Sequence, residues 1–383
     1  MQALSSMGWK ISIFRIKAAG KPGLDESLLS NFLVLPVMLR PTYWFRGLIW
    51  TFRKRYSEFC QICRELSLVK GDIRIKLKLL FLLFTVLGMA EYINVNRISI
   101  THIRAHFLHN ETVGAYWLSK ILHISYSITI HTTMIYYPYS LLQKAVQNAS
   151  FCVGISEETL ALATKLRGNQ DNVFLIRNGV NFDVLQNNLE TSKTIPIVLA
   201  VGRLIPKKGF DVLIKACALL KQRNINFLCR IIGAGSEFPR LKKLIVKNGL
   251  SEEVHLAGAL PFDQVVTEYQ KATLLVVPSR VCKDDVDGLP TVMIEALAMG
   301  LPVIASSIAG IPDLIKEKQT GLLVPAEDEK SLANAICDLF FDENLYRSLA
   351  LQGKNEVLKN FNISETIKQL NNSMVQSLTK PNR

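Results

Sequence analysis

At 383 residues, with 49% apolar and 20% charged side chains, the chain is too long for one ordinary domain and too apolar for wholesale disorder. Lys and Arg outnumber Asp and Glu by 45 to 32, and residues 1–105 alone hold sixteen basic against six acidic side chains. So basic a first quarter points to an anionic partner on one face (an acidic membrane, a phosphorylated acceptor or nucleic acid), with a solvated basic surface as the bland alternative. Nucleic acid suits the charge but has no recognisable module here, and none is expected as a partner. Seven scattered cysteines, an odd number, argue against a full disulfide framework and for a reducing compartment. Cys60 and Cys63 form a lone C-x-x-C with no second pair.

In chain order, the start MQALSSMGWKISIFRI lacks the charged-then-apolar layout of a signal peptide, and Lys10–Ile16 reads as a strand. Next, Trp44, Phe45, Trp50 and Phe52 are interleaved with Arg46, Arg53, Lys54 and Arg55. The apolar run Leu79–Ala90 follows Arg74, Lys76 and Lys78 and falls short of the roughly 20 residues that a spanning helix needs. Aromatic and apolar residues beside Lys and Arg suit a surface lying on anionic lipid. The expectation is a cytoplasmic protein, peripheral on the inner face of the cell membrane. A buried helix with a basic outer side is the alternative.

Strand candidates follow at Ile98–Arg104, Ser125–Ile130, Phe151–Gly154 and Val173–Ile176. After a polar stretch (NFDVLQNNLETSKT) the texture sharpens. Strands at Ile195–Val201, Phe227–Ile232, Val254–Leu256, Leu274–Val277 and Val303–Ala305 alternate with helices at Gly209–Lys221, Phe238–Asn248 and Pro290–Met299. This alternation predicts an α/β fold with parallel sheets covered on both faces, as two facing Rossmann-like domains. The expected division is 1–185, a linker at 186–194, a second domain at 195–362, and a C-terminal helix at 363–383 returning to the first.

Several motifs fall at predicted strand ends. In Gly202-Arg203-Leu204-Ile205-Pro206-Lys207-Lys208-Gly209 the side chains of Arg203 and Lys208 are placed to converge on a diphosphate, Arg as a fork and Lys as a point charge. In Asp287-Gly288-Leu289-Pro290-Thr291-Val292-Met293-Ile294-Glu295, Gly288 permits close backbone approach and Pro290 suits the first turn of a helix. The amides of Thr291 and Val292 then form an anion site, with Asp287 before the helix and Glu295 on it. Two carboxylates flanking a phosphate site imply a ligand with hydroxyl-rich parts. Gly233 and Gly235 (a lone G-x-G) and Gly258 gain weight only from lying at successive strand ends. His102 and His106 share one side of a strand, or lie one turn apart on a helix, and His131 directly follows a strand. Asp284, Asp285 and Asp287 contain a D-x-D, but with Arg203 and Lys208 available no metal is needed.

These segments carry a family resemblance: GRLIPKKGFDVLIKA, IIGAGSEFPRLKKL, VVPSRVCKDDVDGLPTVMIEALAMGLPVIAS, GIPDLI and TGLLVPAED, with AHFLHNETVGAYWLSKI, ITIHTTM, SEETL and IRNGVN upstream. Over about 98–335 the chain resembles the retaining GT-B glycosyltransferases of family four (glycosyl transferases group 1), in the exopolysaccharide or colanic-acid-type branch. The resemblance implies a UDP- or GDP-linked sugar donor in the C-terminal half and a lipid-linked glycan acceptor in the N-terminal half. By position, Arg203 and Lys208 would hold the diphosphate and Glu295 the ribose. Asp287, with the backbone of Gly288 and Leu289, would hold the transferred sugar, with His131 beside it and His106 on the acceptor side. Transfer would retain the anomeric configuration by same-face attack, the leaving phosphate taking the acceptor proton, with no cofactor, metal or covalent nucleophile. Two departures stand out. Asp287 occupies a position that is usually Glu. The opening residues read as the end of a first helix followed by the second strand, so the first strand and its loop are expected to be missing, with an inactive nucleotide-sugar-binding relic as the rival reading. A dinucleotide oxidoreductase is unsupported, since no G-x-G-x-x-G with a downstream acid appears.

Overall fold

The structure is a computed structural model that describes residues 4–5, 7–8, 10–13, 33–34, 41–70, 72–131, 139–182, 185, 195–282 and 286–379. Its contacts divide the chain into two units. One comprises residues 1–155, 159–176 and 367–383, the other residues 156–158 and 177–366.

The first unit opens with two short strands, β1 (Ser12–Ile13) and β2 (Leu33–Val34), paired in parallel. Three helices follow: α1 (Pro41–Lys54), α2 (Tyr56–Ser67) and α3 (Ile73–Val95). Asp72 caps α3 by accepting from the Arg74 amide. Leu79, Leu82, Leu83, Val86, Leu87 and Ala90 then recur at helical spacing and are buried in the core. Gly47 brings α1 onto α3 at backbone distance, since a Cβ there would lie 2.4 Å from the Leu87 carbonyl carbon. Around this crossing Trp44 packs edge-on to Phe81 and parallel to Phe84, and the Arg46 guanidinium grips Glu91 at 2.7 and 3.1 Å.

Strands and helices then alternate as β3 (His102–His106), α4 (Asn110–Leu122), β4 (Ser125–Ile130), α5 (Tyr139–Asn148), β5 (Phe151–Gly154), α6 (Glu157–Arg167) and β6 (Val173–Leu175). The strands form a parallel sheet in the order β3-β4-β5-β6. β3 begins later than the expected Ile98–Arg104. Arg97 adopts φ +52° and the Ile98 amide bonds back to the Ile93 carbonyl, so these residues close α3. The sheet presents Ala105, Tyr126, Ile128, Ile130 and Cys152 to the core. Strand alternation turns His102, Arg104, His106, Ser125, Ser127 and Thr129 to the other face. Of the predicted strand Lys10–Ile16, Ser12–Ile13 is strand, and residues 14–16 lie outside the described residues.

The second unit is built on β7 (Ile197–Val201), α7 (Phe210–Gln222), β8 (Leu228–Ile232), α8 (Phe238–Lys247), β9 (Val254–Gly258), α9 (Phe262–Lys271), β10 (Leu274–Val277), α10 (Thr291–Ala298), β11 (Val303–Ser306), α11 (Ile311–Leu314), β12 (Leu322–Val324), α12 (Glu329–Phe341) and α13 (Glu343–Asn360). Among the described residues the sheet runs β12-β11-β10-β7-β8-β9, all parallel. The chain winds outward from β7, returns to β10 and winds out the other way. The order therefore reverses between β7 and β10, and ligands of such sheets bind beyond the carboxyl ends at that switch point. One core joins α7 and α12 to the sheet, and a second joins α9 and α10 to its other face.

Part of the polar stretch before β7 belongs to this unit. Leu185 is buried in its core, Phe182 packs against that core, and the Val180 amide bonds to the Phe361 carbonyl at 2.9 Å. The unit's contacts thus begin at Arg177, ahead of the expected linker, whose residues 186–194 lie outside the described ones. The last helix, α14 (Ile363–Thr379), starts in the second unit, and from Ile367 its contacts lie with the first.

Candidate functional site

β7 and β10 are neighbours in the sheet, so their carboxyl ends open into adjacent loops. The loop after β7 is stitched on both sides. The Gly202 amide donates to the Ile232 carbonyl and the Leu204 amide to Ala234, both at 2.9 Å, while the Lys207 carbonyl accepts from the Arg280 amide at 2.8 Å. Two glycines make this close laying of backbone on backbone possible. Gly233 has φ +149° and Gly209 φ +66°, and a Cβ at either would lie 1.8 Å from a carbonyl oxygen, of Gly202 and Pro278 respectively. Gly235 lies against the Leu204 carbonyl, and the Gly258 carbonyl accepts from the Gly233 amide at 2.7 Å. The lone G-x-G is thereby accounted for as packing between strand-end loops.

At the centre sits Asp287, which is buried. Its Oδ2 lies 2.6 Å from Lys208 Nζ and accepts the Ser279 hydroxyl at 3.0 Å, and its Oδ1 lies 3.2 Å from Lys207 Nζ. Burial pushes the carboxyl upward, but the Lys208 and then the Lys207 ammonium outweigh it and hold Asp287 below its usual range. Two ammonium groups thus share one carboxylate. Arg203 is exposed nearby in sequence and makes no ion pair among the described residues. The loop is therefore electropositive around an ionised acid.

Glu295 lies on α10 and accepts the Tyr269 hydroxyl at 2.8 Å. Burial raises its carboxyl above the usual range, against the hydrogen bonds from Tyr269 and Thr291 that favour the charged form. Pro290 is the N-cap of α10 rather than its first residue as expected, and no side chain caps this end. The amides of Thr291 and Val292 stand at the positive end of the helix. Leu289 is buried and pins the loop, leaving Gly288 between it and Asp287. Beside this loop Arg280 pairs with Asp211 and, at 3.0 Å, with Glu327. Asp284 and Asp285 lie outside the described residues.

Lys207, Ser279 and Tyr269 escape the sequence reading. Lys207 was legible as part of the Arg203–Lys208 motif. Ser279 and Tyr269 sit in no motif and reach Asp287 and Glu295 only through the fold.

In the first unit, β3 carries the H-x-R-A-H segment as strand, which removes the helical alternative. His131 follows β4 at the sheet's carboxyl edge, as expected. Arg104 donates from Nη2 to Thr129 Oγ1 at 2.6 Å and from Nε to His106 Nε2 at 3.3 Å, and His106 Nδ1 lies 3.2 Å from His131 Nε2. A guanidinium only donates, so His106 Nε2 accepts, His106 Nδ1 carries the proton toward His131 Nε2, and His131 then carries its own proton on Nδ1. Burial first and Arg104 second push His131 down to about 4, and the same causes with His131 added push His106 to about 3. Both rings are neutral at pH 7.

Residues 181–356 match the family model described as Glycosyl transferases group 1. Of curated proteins, the putative colanic acid biosynthesis glycosyltransferase of Salmonella typhimurium is 30% identical over 203 residues, 52% of this chain and 50% of that one. Of solved structures, the sucrose-phosphate synthase of Thermosynechococcus elongatus superposes with a TM-score of 0.75 at 20% identity, covering 98% of this chain and 90% of that one. The Anabaena HepE structure in complex with UDP-glucose gives 0.64 at 19% identity, covering 77% and 82%. The chain spans about half the length of the curated relatives it matches. Two parallel-sheet α/β units superposing in this way define the GT-B fold. The matched residues lie within the second unit, which is therefore similar to the glycosyl transferases group 1, and the curated relatives it resembles include glycosyltransferases of colanic acid and amylovoran biosynthesis.

Proposed function

We propose that the protein transfers a hexose from a UDP- or GDP-linked donor to a lipid-linked oligosaccharide or polysaccharide precursor, with retention and without a metal. The observation that carries this reading is the buried Asp287 held between Lys208, Lys207 and Ser279 at the switch point, with Glu295 on the helix that follows. A diphosphate arriving at the loop meets Lys208, the exposed Arg203 and the amides at the start of α10, donors that stabilise the charge developing on the leaving group. As Lys208 turns to the phosphates, Asp287 is left to accept sugar hydroxyls. Glu295, held on α10 by the Tyr269 hydroxyl, takes the ribose hydroxyls. The HepE complex with UDP-glucose supports a nucleotide-sugar donor for this fold.

In the reaction the bond from the anomeric carbon to the diphosphate breaks and the acceptor hydroxyl bonds to the same face. Its proton passes to the departing phosphate oxygen, and the cationic loop takes the charge. Gly233, Gly235 and Gly258 shape the donor side by keeping side chains out of the loops. The neutral His131 offers Nδ1–H to the sugar, and His106 lines the acceptor side and sets that tautomer.

Calorimetric titration of the donor nucleotide tests the reading. Removing one hydrogen-bonded carboxylate costs roughly 1.5–3 kcal/mol, so Glu295→Ala is expected to weaken nucleotide binding by about ten- to a hundredfold with folding intact. Equal affinity in wild type and variant contradicts it.

A further inference from the structure

We infer that the outward faces of α1 and the first two turns of α3 form a docking surface for an anionic phospholipid bilayer, with a phosphate headgroup seated between Arg46, Arg53 and Lys54. The inference goes beyond the proposed transfer reaction and is independent of it, since it uses none of the donor-site residues.

A helix that covers a core ordinarily turns polar side chains to water. α1 does not. Gly47 and Thr51 are buried against the fold, yet the opposite side presents Phe45, Ile49 and Phe52, followed by Tyr56. Phe45 and Phe52 are 66% and 56% exposed. The start of α3 repeats the pattern with Ile73, Leu77, Leu80 and Phe81, of which Ile73 and Leu77 are 64% and 59% exposed. Trp44 bridges the two rows by packing on Phe81.

The charges around these rows have one sign. Arg53 and Lys54 border the α1 row, and Arg74, Lys76 and Lys78 flank the α3 row. All five are exposed, and none makes an ion pair among the described residues. The nearby acids are Glu91, already gripped by Arg46, and Asp72, which caps α3. A shallow pocket beside Trp50 is lined by Arg46, Arg53 and Lys54 with Ile49, and Glu91 is its one carboxylate. An apolar row flanked by cations suits the boundary where acyl chains meet acidic headgroups, with Lys and Arg reaching up to the phosphates. No described helix is long and apolar enough to cross a membrane, so the contact lies on the surface of the bilayer.

The test is flotation of the full chain with phosphatidylcholine vesicles and with vesicles that also contain phosphatidylglycerol. The account expects retention on the acidic vesicles alone at low salt, lost as salt is raised. Each basic contact is worth roughly fivefold in binding, so Arg53→Glu with Lys54→Glu should weaken retention by well over tenfold. Phe45→Ser with Phe52→Ser should weaken it comparably, while both double variants keep the wild-type melting temperature and donor binding. Equal retention on neutral and acidic vesicles, or wild-type retention in both variants, overturns the inference. So does a concentration-dependent dimer that the Phe variants abolish, which would give the face to a second copy of the chain.

Discussion

Asp287 and Glu295 are both buried carboxyls a short distance apart in sequence, and their surroundings push them in opposite directions. Asp287 has two ammonium partners and stays charged. Glu295 has a phenol and burial, which raises it. One acid is thus held ionised beside two ammonium groups, while the other is buried and meets only hydroxyl donors. Both were legible in the sequence because the strand-end loop and its helix lie within nine residues. Tyr269, which fixes Glu295, was not, since it reaches it from the preceding helix across 26 positions. In the first unit the histidines set a pH dependence. His102 lies between the hydroxyls of Ser125 and Ser127, each at 2.8 Å, and burial followed by Arg104 lowers it to about 4. The unfolded chain protonates first, near the ordinary value of about 6.5, so this contribution to stability is complete above pH 6.5 and is lost as pH falls toward 4. His102→Gln is expected to flatten the pH dependence of the unfolding free energy, read from urea titrations between pH 6.5 and 4, by up to about 1.4 kcal/mol per pH unit. An unchanged slope would show that the ring is not the neutral, buried group described.

At the scale of elements, the crossing of α1 over α3 depends on a residue with no side chain. A Cβ on Gly47 would meet the Leu87 carbonyl carbon at 2.4 Å, with the Gly88 nitrogen at 2.5 Å. Gly47→Ala must separate the helices and is expected to cost about 1–3 kcal/mol, read as a lower melting temperature of the first unit. A neutral substitution would mean that the crossing is loose. This pair also explains uneven legibility. The strands of the second unit announced themselves as continuous apolar runs, because a parallel strand covered on both faces has no polar side. α1 gave no such signal, as its apolar residues face both the core and the outside and blur the helical period. α3 appeared only as the run Leu79–Ala90, where its inner and outer faces are both apolar. β12 (Leu322–Val324) was missed as well.

Across the whole molecule, charge and chemistry are separated. Among the described residues of the first quarter, Arg53, Lys54, Arg74, Lys76 and Lys78 are exposed on helices beside an apolar surface. The second unit places Lys207 and Lys208 around the buried Asp287 at the switch point of a doubly wound sheet. That division suits a protein that holds a bilayer with one unit and a nucleotide sugar with the other, and each half can be broken without the other. The order of the six-stranded sheet puts Asp287, Lys207, Lys208 and Ser279 where phosphates bind in such folds, so the donor site is the claim on which the transfer reaction depends. A thermal-shift panel with UDP, GDP, ADP and their common sugar conjugates tests it most directly. A ligand that binds only the folded state stabilises it by about 2.7 kcal/mol at a hundredfold excess over its dissociation constant. The account predicts a selective rise with UDP or GDP and their sugars, reduced in Glu295→Ala at the same ligand concentration. A cooperatively melting chain that none of these ligands shifts would contradict it.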